Sequence, residues 1–157
     1  MIRLIDAALL DEVSAEARQS PRGRKNRNFH TNDAQPGHRL LNAIEPGSYI
    51  MPHRHLDPNK DETMVVLRGC LGLVTFDDQG MIVDALSIGK GGVAIGMDIP
   101  HGTWHTVFAL EPGTVFLEAK AGPYLPLSAD EKALWAPAEG DSGAAAYLAG
   151  LVARITR

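Results

Sequence analysis

Four side chains of this sequence have the types and spacing of a metal site. His53 and His55 stand one residue apart in Gly47-Ser48-Tyr49-Ile50-Met51-Pro52-His53-Arg54-His55. Glu62 follows after a loop of six residues, and His105 closes the run Pro100-His101-Gly102-Thr103-Trp104-His105. Alternate residues of an extended strand point to one side, so His53 and His55 project together while Arg54 faces away. Glu62 opens the next expected strand and can turn back toward the pair, and His105 starts a later one. Three imidazoles and a carboxylate on a rigid sheet form a mixed nitrogen and oxygen set for one divalent transition metal. Fe, Mn, Ni, Co, Cu and Zn all accept such ligands, and ligand softness does not choose among them. Four ligands leave one or two positions open on a six-coordinate ion, where water or substrate could bind. A His-x-His pair alone is a weak signal. Its combination with a downstream Glu and with Pro-x-Gly-x-x-His is a far stronger one.

The elements that must position these residues can be read from periodicity and turn chemistry. Residues 6–18 read as a helix capped by Asp6, with Leu9, Leu10, Val13 and Ala17 at helical spacing and Ser20-Pro21 ending it. From Arg22 to Gly37 no period survives, which predicts an extended loop. Short apolar segments follow at 40–44, 48–55, 63–68, 71–76, 81–88, 93–95, 105–110 and 114–119, divided by turn residues such as Pro46-Gly47, Gly69 and Glu111-Pro112-Gly113. Short strands at this spacing predict an all-β sandwich or barrel. Helical signals return in the capping-box pattern Ser128-Ala129-Asp130-Glu131. A final helix is expected from Asp141 or Ser142, with Ala144, Tyr147, Leu148, Leu151, Val152 and Ile155 on one stripe.

Composition narrows the class. The 157 residues carry a net charge of −4 and 45% hydrophobic residues, as in an ordinary globular domain. The single cysteine, Cys70, cannot form an intramolecular disulfide. No apolar run approaches the ~20 residues of a membrane-spanning helix, and acidic residues interrupt the N-terminal stretch where a signal peptide stays apolar. A cytoplasmic protein without a membrane partner is expected. Arg18, Arg22, Arg24, Lys25, Arg27 and Arg39 cluster against one acid, Asp33, while the rest of the chain is acidic. That imbalance argues against a broad nucleic-acid surface and fits a local patch for a small anion.

The two histidine segments resemble the two motifs of the cupin superfamily. Gly47, His53, His55, Glu62 and Gly69 match the first motif, with a longer gap before the glutamate than is usual. Pro100, Gly102 and His105 match the second, with Ala94 and Ala109 in place of the family's glycine and asparagine. Further runs resemble the WbuC-type cupin-fold metalloproteins: Ser20-Pro21-Arg22, Asn28-Phe29-His30, Arg39–Ala43, the long His53–Glu62 loop, Ile99–Thr106, Gly122-Pro123-Tyr124 and Trp135–Asp141. His101 stands where that family has alanine. The resemblance implies a cupin-type antiparallel β-barrel (a double-stranded β-helix) with an N-terminal helix and C-terminal helices. One domain over 1–157 is expected, with the helix and basic loop at 1–38, the barrel at 39–120 and a helical extension at 121–157. The resemblance also implies a metal in the barrel and an association with bacterial surface-polysaccharide metabolism.

Several residues could reach the barrel mouth. Arg22, Arg24, Asn28, Arg39, Asn42 and His101 are candidates for binding a small anionic or sugar-type ligand, since the guanidinium fork suits carboxylate and phosphate. His101 could equally be a fifth ligand, a proton shuttle or a turn residue. His30 and Tyr124 are candidate proton carriers, and Glu118 could orient a ligating histidine. Trp104, Trp135, Met51 and Met64 read as core. Three functions follow: a metal-dependent isomerase, oxygenase or lyase; a non-catalytic metal-dependent sensor; and a metal-free sugar epimerase, which would leave the clustered ligands without a role. A homodimer is compatible with the apolar C-terminal helix.

Overall fold

The computed structural model describes residues 2–156. Helix α1 (Ala7–Gln19) begins where Asp6 accepts a hydrogen bond from the Leu9 amide at 3.0 Å, and Ser20, extended ahead of Pro21, ends it. Strands β1 (Arg24–Asn28), β2 (Gly37–Ile44), β3 (Glu62–Arg68), β4 (Cys70–Phe76), β5 (Ile82–Gly89), β6 (Gly96–Ile99), β7 (Trp104–Ala109) and β8 (Thr114–Ala121) follow. After a short 3-10 turn at Ala129–Glu131, helix α2 (Ala144–Val152) completes the chain. Among the described residues, no helix is long and apolar enough to cross a membrane.

The strands form two antiparallel sheets, ordered β1-β2-β8-β3-β6 and β5-β4-β7. Between them lies a core of Ile44, Met64, Leu71, Leu73, Ile88, Ile99, Val107 and Phe116. The outer face of the larger sheet presents Leu41, Ala43 and Val115, on which α1 lays Leu10, Val13 and Ala17. A third cluster joins α2, through Ala144, Leu148 and Leu151, to Tyr49, Phe76, Trp104 and Phe108. The turn from β3 to β4 needs Gly69: its φ is +76°, and a Cβ there would strike Thr114.

Four sequence expectations differ from the structure. The stretch read as a loop between Arg22 and Gly37 contains β1, which pairs with β2 from Arg24↔Ile44 to Asn28↔Leu40, so the larger sheet starts at Arg24 and not at residue 39. Its residues Arg-Lys-Asn-Arg-Asn show no apolar alternation because neither face enters the core. The segment 48–55 is not a strand: only a single bridge, His53↔His105, ties it to β7, with a second to Lys132. Finally, the expected strand at 93–95 is displaced to β6, and Val152, placed on the buried stripe of the last helix, is 41% exposed.

Leu41, fully buried beneath α1, tests this packing. Leu41→Ala should lower stability by roughly 2–5 kcal/mol through lost burial and an unfilled cavity, read as a shifted urea midpoint with an unchanged slope.

Candidate metal centre

The four expected ligands meet between the sheets. Glu62, the first residue of β3, is 2% exposed. His105, also 2% exposed, enters from β7, and the backbone exchange His53 N–H to His105 O (3.0 Å) and His105 N–H to His53 O (2.9 Å) sets the two segments in register. His53, His55 and Glu62 each offer a donor atom within 4.8 Å of the others. His105 joins them, its Nε2 3.0 Å from Glu62 Oε2, while His55 Nε2 lies 3.3 Å from Glu62 Oε1. The rings of His53 and His105 are 4.6 Å apart between centroids.

The hydrogen bonds around these rings fix which nitrogen faces inward. His53 Nδ1 lies 3.1 Å from the Met51 carbonyl and His105 Nδ1 lies 2.9 Å from the Thr103 carbonyl. A carbonyl only accepts, so each Nδ1 carries a proton and each Nε2 is the nitrogen turned toward the cluster. Despite their proximity, His55 Nε2, His105 Nε2 and Glu62 Oε2 make no hydrogen bond, and all three atoms are buried. Buried polar atoms without partners are costly. His53, His55 and Glu62, with donor atoms within 4.8 Å of one another, form a set of nitrogens and a carboxylate that fits a divalent cation, and His105 Nε2 stands against the same carboxylate.

The charge environment agrees. Burial opposes ionisation of Glu62, but the His105 and His55 rings and the Lys120 ammonium outweigh it and hold the carboxyl well below the usual range. For His53, burial and then the neighbouring His105 disfavour the imidazolium and push its pKa down to about 3. Both shifts leave the groups in their ligating forms at neutral pH.

Sequence reasoning missed Lys120. This β8 residue donates to Glu62 Oε1 at 3.0 Å and pairs with Glu118 Oε1 at 2.8 Å. Burial works against its charge, yet Glu118 and Glu62 together raise its pKa above the ordinary lysine value. Its signal was weak, since a lone lysine near a strand end reads as surface; only its even spacing from Glu118 and Phe116 places it on the inner face. Lys60, buried and donating to the Pro123 carbonyl at 3.0 Å, escaped notice for the same reason.

The other expected residues divide. Asn42 lines the cavity of about 350 Å³ that opens on His53, Glu62 and His105, and its side chain donates to Glu118 Oε2 at 2.7 Å. Glu118 thus holds Asn42 and Lys120, not a histidine. Arg22 and Arg24 reach the same cavity, but both clasp Glu139, at 2.7 Å and 2.8 Å. The Arg22 hydrogen bonds lead this effect, which holds the Glu139 carboxyl down to about 2. Arg39 stands on the opposite face of β2 from His38 and Leu40 and is exposed, so it cannot recognise a ligand in the cavity. His101 is also exposed and binds Asp61 through its amide (2.8 Å) and ring (2.7 Å), which makes it a turn residue. His30 is buried, stacked on His38 with 3.9 Å between centroids, and hydrogen-bonded to the Arg39 backbone. Asn28 and His30 line a neighbouring cavity, and Tyr124, 58% exposed, borders both that cavity and the one shared by His53 and His55.

Trp104 lies in the core as expected, with Arg54 stacked 4.2 Å from its centroid. Met64 is buried, and Met51 and Trp135 pack against the core.

Comparison with known proteins places this geometry. A family described as a domain of unknown function (DUF6016) matches residues 5–88. No curated protein matches the chain. Among solved structures, the conserved SPY1581 protein of unknown function from Streptococcus pyogenes has a TM-score of 0.52 at 14% identity, covering 80% of this chain and 91% of its own. KdgF from Halomonas sp. has a TM-score of 0.48 at 20% identity, covering 66% and 82%. Bacillus subtilis oxalate decarboxylase, described for its Mn(II) centres, has 0.48 at 18% identity, covering 69% and 27%. The chain spans about a quarter of the length of the oxalate decarboxylases it matches. The fold described above, two antiparallel sheets with flanking helices, is of the cupin type.

A pH dependence follows from His53. The folded chain keeps it neutral down to about 3, whereas an unfolded chain protonates it near 6.5. The unfolded state therefore binds more protons in that window, and stability present above 6.5 is lost as pH falls toward 3. In chelator-treated protein, the urea midpoint should drop between pH 7 and pH 5, and His53→Gln should flatten that drop.

Proposed function

The chain belongs to the DUF6016 family, and from that premise and the geometry of the centre we propose that it is a metal-dependent cupin of the WbuC type. In this reading it is one domain that acts on a small anionic or sugar-type substrate in bacterial surface-polysaccharide metabolism. His53, His55, Glu62 and His105 would hold one divalent first-row transition ion.

One observation carries the reading: His55 Nε2, His105 Nε2 and Glu62 Oε2 are buried and lack hydrogen-bond partners, where His53, His55 and Glu62 bring donor atoms within 4.8 Å of one another. A purely structural cluster would pair these atoms with one another or with water-accessible groups. When bound, a divalent ion supplies Lewis-acid polarisation of a carbonyl, hydroxyl or phosphoryl oxygen. The remaining work belongs to the chain. Lys120 keeps Glu62 ionised and places a positive charge at the cavity edge, where an anionic group can be oriented. Asn42, fixed by Glu118, offers its carbonyl oxygen beside it. The apolar residues Ile44, Ile50, Met64, Val107 and Phe116 line the same cavity and exclude bulk water. Of the two expected proton carriers, Tyr124 is the one that shares a cavity with His53 and His55, which supports it over His30 as the group that exchanges a proton with substrate.

Protein purified without added metal should contain close to one transition-metal ion per chain by elemental mass spectrometry. Glu62→Ala and His105→Ala should each abolish that content while retaining a β-type circular dichroism spectrum. Metal-free wild-type protein that cannot be loaded would sink the proposal. A screen of sugar phosphates and nucleotide sugars with iron, manganese, nickel and zinc then separates enzyme from sensor: conversion under any metal supports the enzyme, and binding without conversion under all four makes the protein a ligand-binding module.

A further inference from the structure

Strand alternation gives the inner face of the larger sheet two halves. Toward β3 and the second sheet it carries core residues: Ile44, Met64 and Phe116. Toward the free edge the same alternation brings Asn26 and Asn28 of β1, His38 and Asn42 of β2, and Glu118 and Lys120 of β8 to one surface, since Asn26 pairs with Asn42 and His38 with Lys120. Asn26 and Asn28 are exposed on this edge, and Asn42 is half-buried. The result is a polar cavity of about 370 Å³ lined by these residues together with His30 and Tyr124. It adjoins the metal-side cavity of about 350 Å³, and Asn26, Asn42, Glu118 and Lys120 line both.

The amides of this row are already oriented. Asn42 gives its NH₂ to Glu118 Oε2 at 2.7 Å, and Asn26 gives its NH₂ to Asn28 Oδ1 at 2.9 Å. That leaves the carbonyl oxygens of Asn42 and Asn26 and the amide nitrogen of Asn28 without partners among the described residues. The row therefore presents acceptor, acceptor and donor along two neighbouring strands. A hydroxyl group donates and accepts at once, so adjacent hydroxyls on one ring match such a row, whereas an apolar or purely anionic group does not. Glu118, buried and itself bound to Asn42 and Lys120, locks the arrangement in place.

We propose that this edge of the sheet is a sugar-binding trough, in which the row Asn42-Asn26-Asn28 takes the hydroxyls of a pyranose ring while the ligand's anionic group enters the adjoining metal-side cavity at Lys120. The inference rests on the proposed metal-centred site and adds the substrate class that site receives. Two cavities of this size joined at Lys120 suit a ligand of two parts, one charged and one polyhydroxylated. They are larger than inorganic phosphate or a short carboxylate requires.

Calorimetric titration of the metal-loaded full chain with inorganic phosphate and with the 1-phosphates of glucose, galactose and mannose tests this. At least one sugar phosphate should bind roughly tenfold tighter than inorganic phosphate, the gain expected from two or three added hydrogen bonds. The double variant Asn26→Ala/Asn28→Ala alters exposed residues on an edge strand. It should lose that tenfold preference while keeping its metal content. Equal binding of all four probes by the wild type, or an undiminished preference in the double variant, overturns the trough. Loss of metal binding in the wild type would instead overturn the metal-centred reading, and the sugar preference would still report on the trough independently.

Discussion

A carboxylate enclosed by imidazoles is the constraint on which the rest of this structure depends. Glu62 is charged and almost wholly removed from water, a situation that costs several kcal/mol unless cations or donors compensate it. Lys120 supplies part of that compensation through Oε1, leaving Oε2 beside His105 with no hydrogen bond. A buried negative charge is thus set beside the ring nitrogens of His55 and His105, with His53 close by. Such an arrangement opposes folding by itself, and in the proposed reading a bound cation would offset that cost and so couple folding to metal loading.

The fold explains how three separate segments are held beside one another. Glu62 and His105 sit on strands of different sheets, and the only backbone link of the His53 segment to β7 is the exchange between His53 and His105 themselves. The residue proposed as a ligand, His53, also sets the register. Farther out, Gly102 donates to the His55 carbonyl at 2.7 Å, and the Asp61–His101 pair ties the loop ahead of Glu62 to the turn ahead of His105. The long gap before Glu62 is thus stapled to the second motif, and its extra length does not loosen the glutamate.

Much of this was legible in the sequence, and for identifiable reasons. The first helix follows from Asp6, a 3.6-residue stripe and Ser20-Pro21, and its bounds shift by one residue. His53, His55, Glu62 and His105 could be picked out because their spacing is rare and their side chains have few other uses together. What escaped was decided by partners distant in sequence. Strand β1 has no apolar alternation, so its membership in the sheet depends on β2. Arg39 and Asn42 look alike as polar residues before the first motif, yet an odd separation along β2 sends them to opposite faces. Arg22 and Arg24 read as free anion binders until Glu139, more than a hundred residues away, is seen to hold them.

The misreading of β1 and the polar trough have a common origin. A strand is recognised in sequence when one face is apolar, and that occurs when the face is covered. The β1 edge keeps an uncovered inner face, so its residues remain polar and its strand character is invisible to periodicity. A sheet that extends a strand beyond its own core gains little hydrophobic stabilisation from it, and β1 buries little beyond its contact with α1. In the proposed reading, the role of β1 lies in the amides it presents beside the metal centre more than in what it contributes to stability.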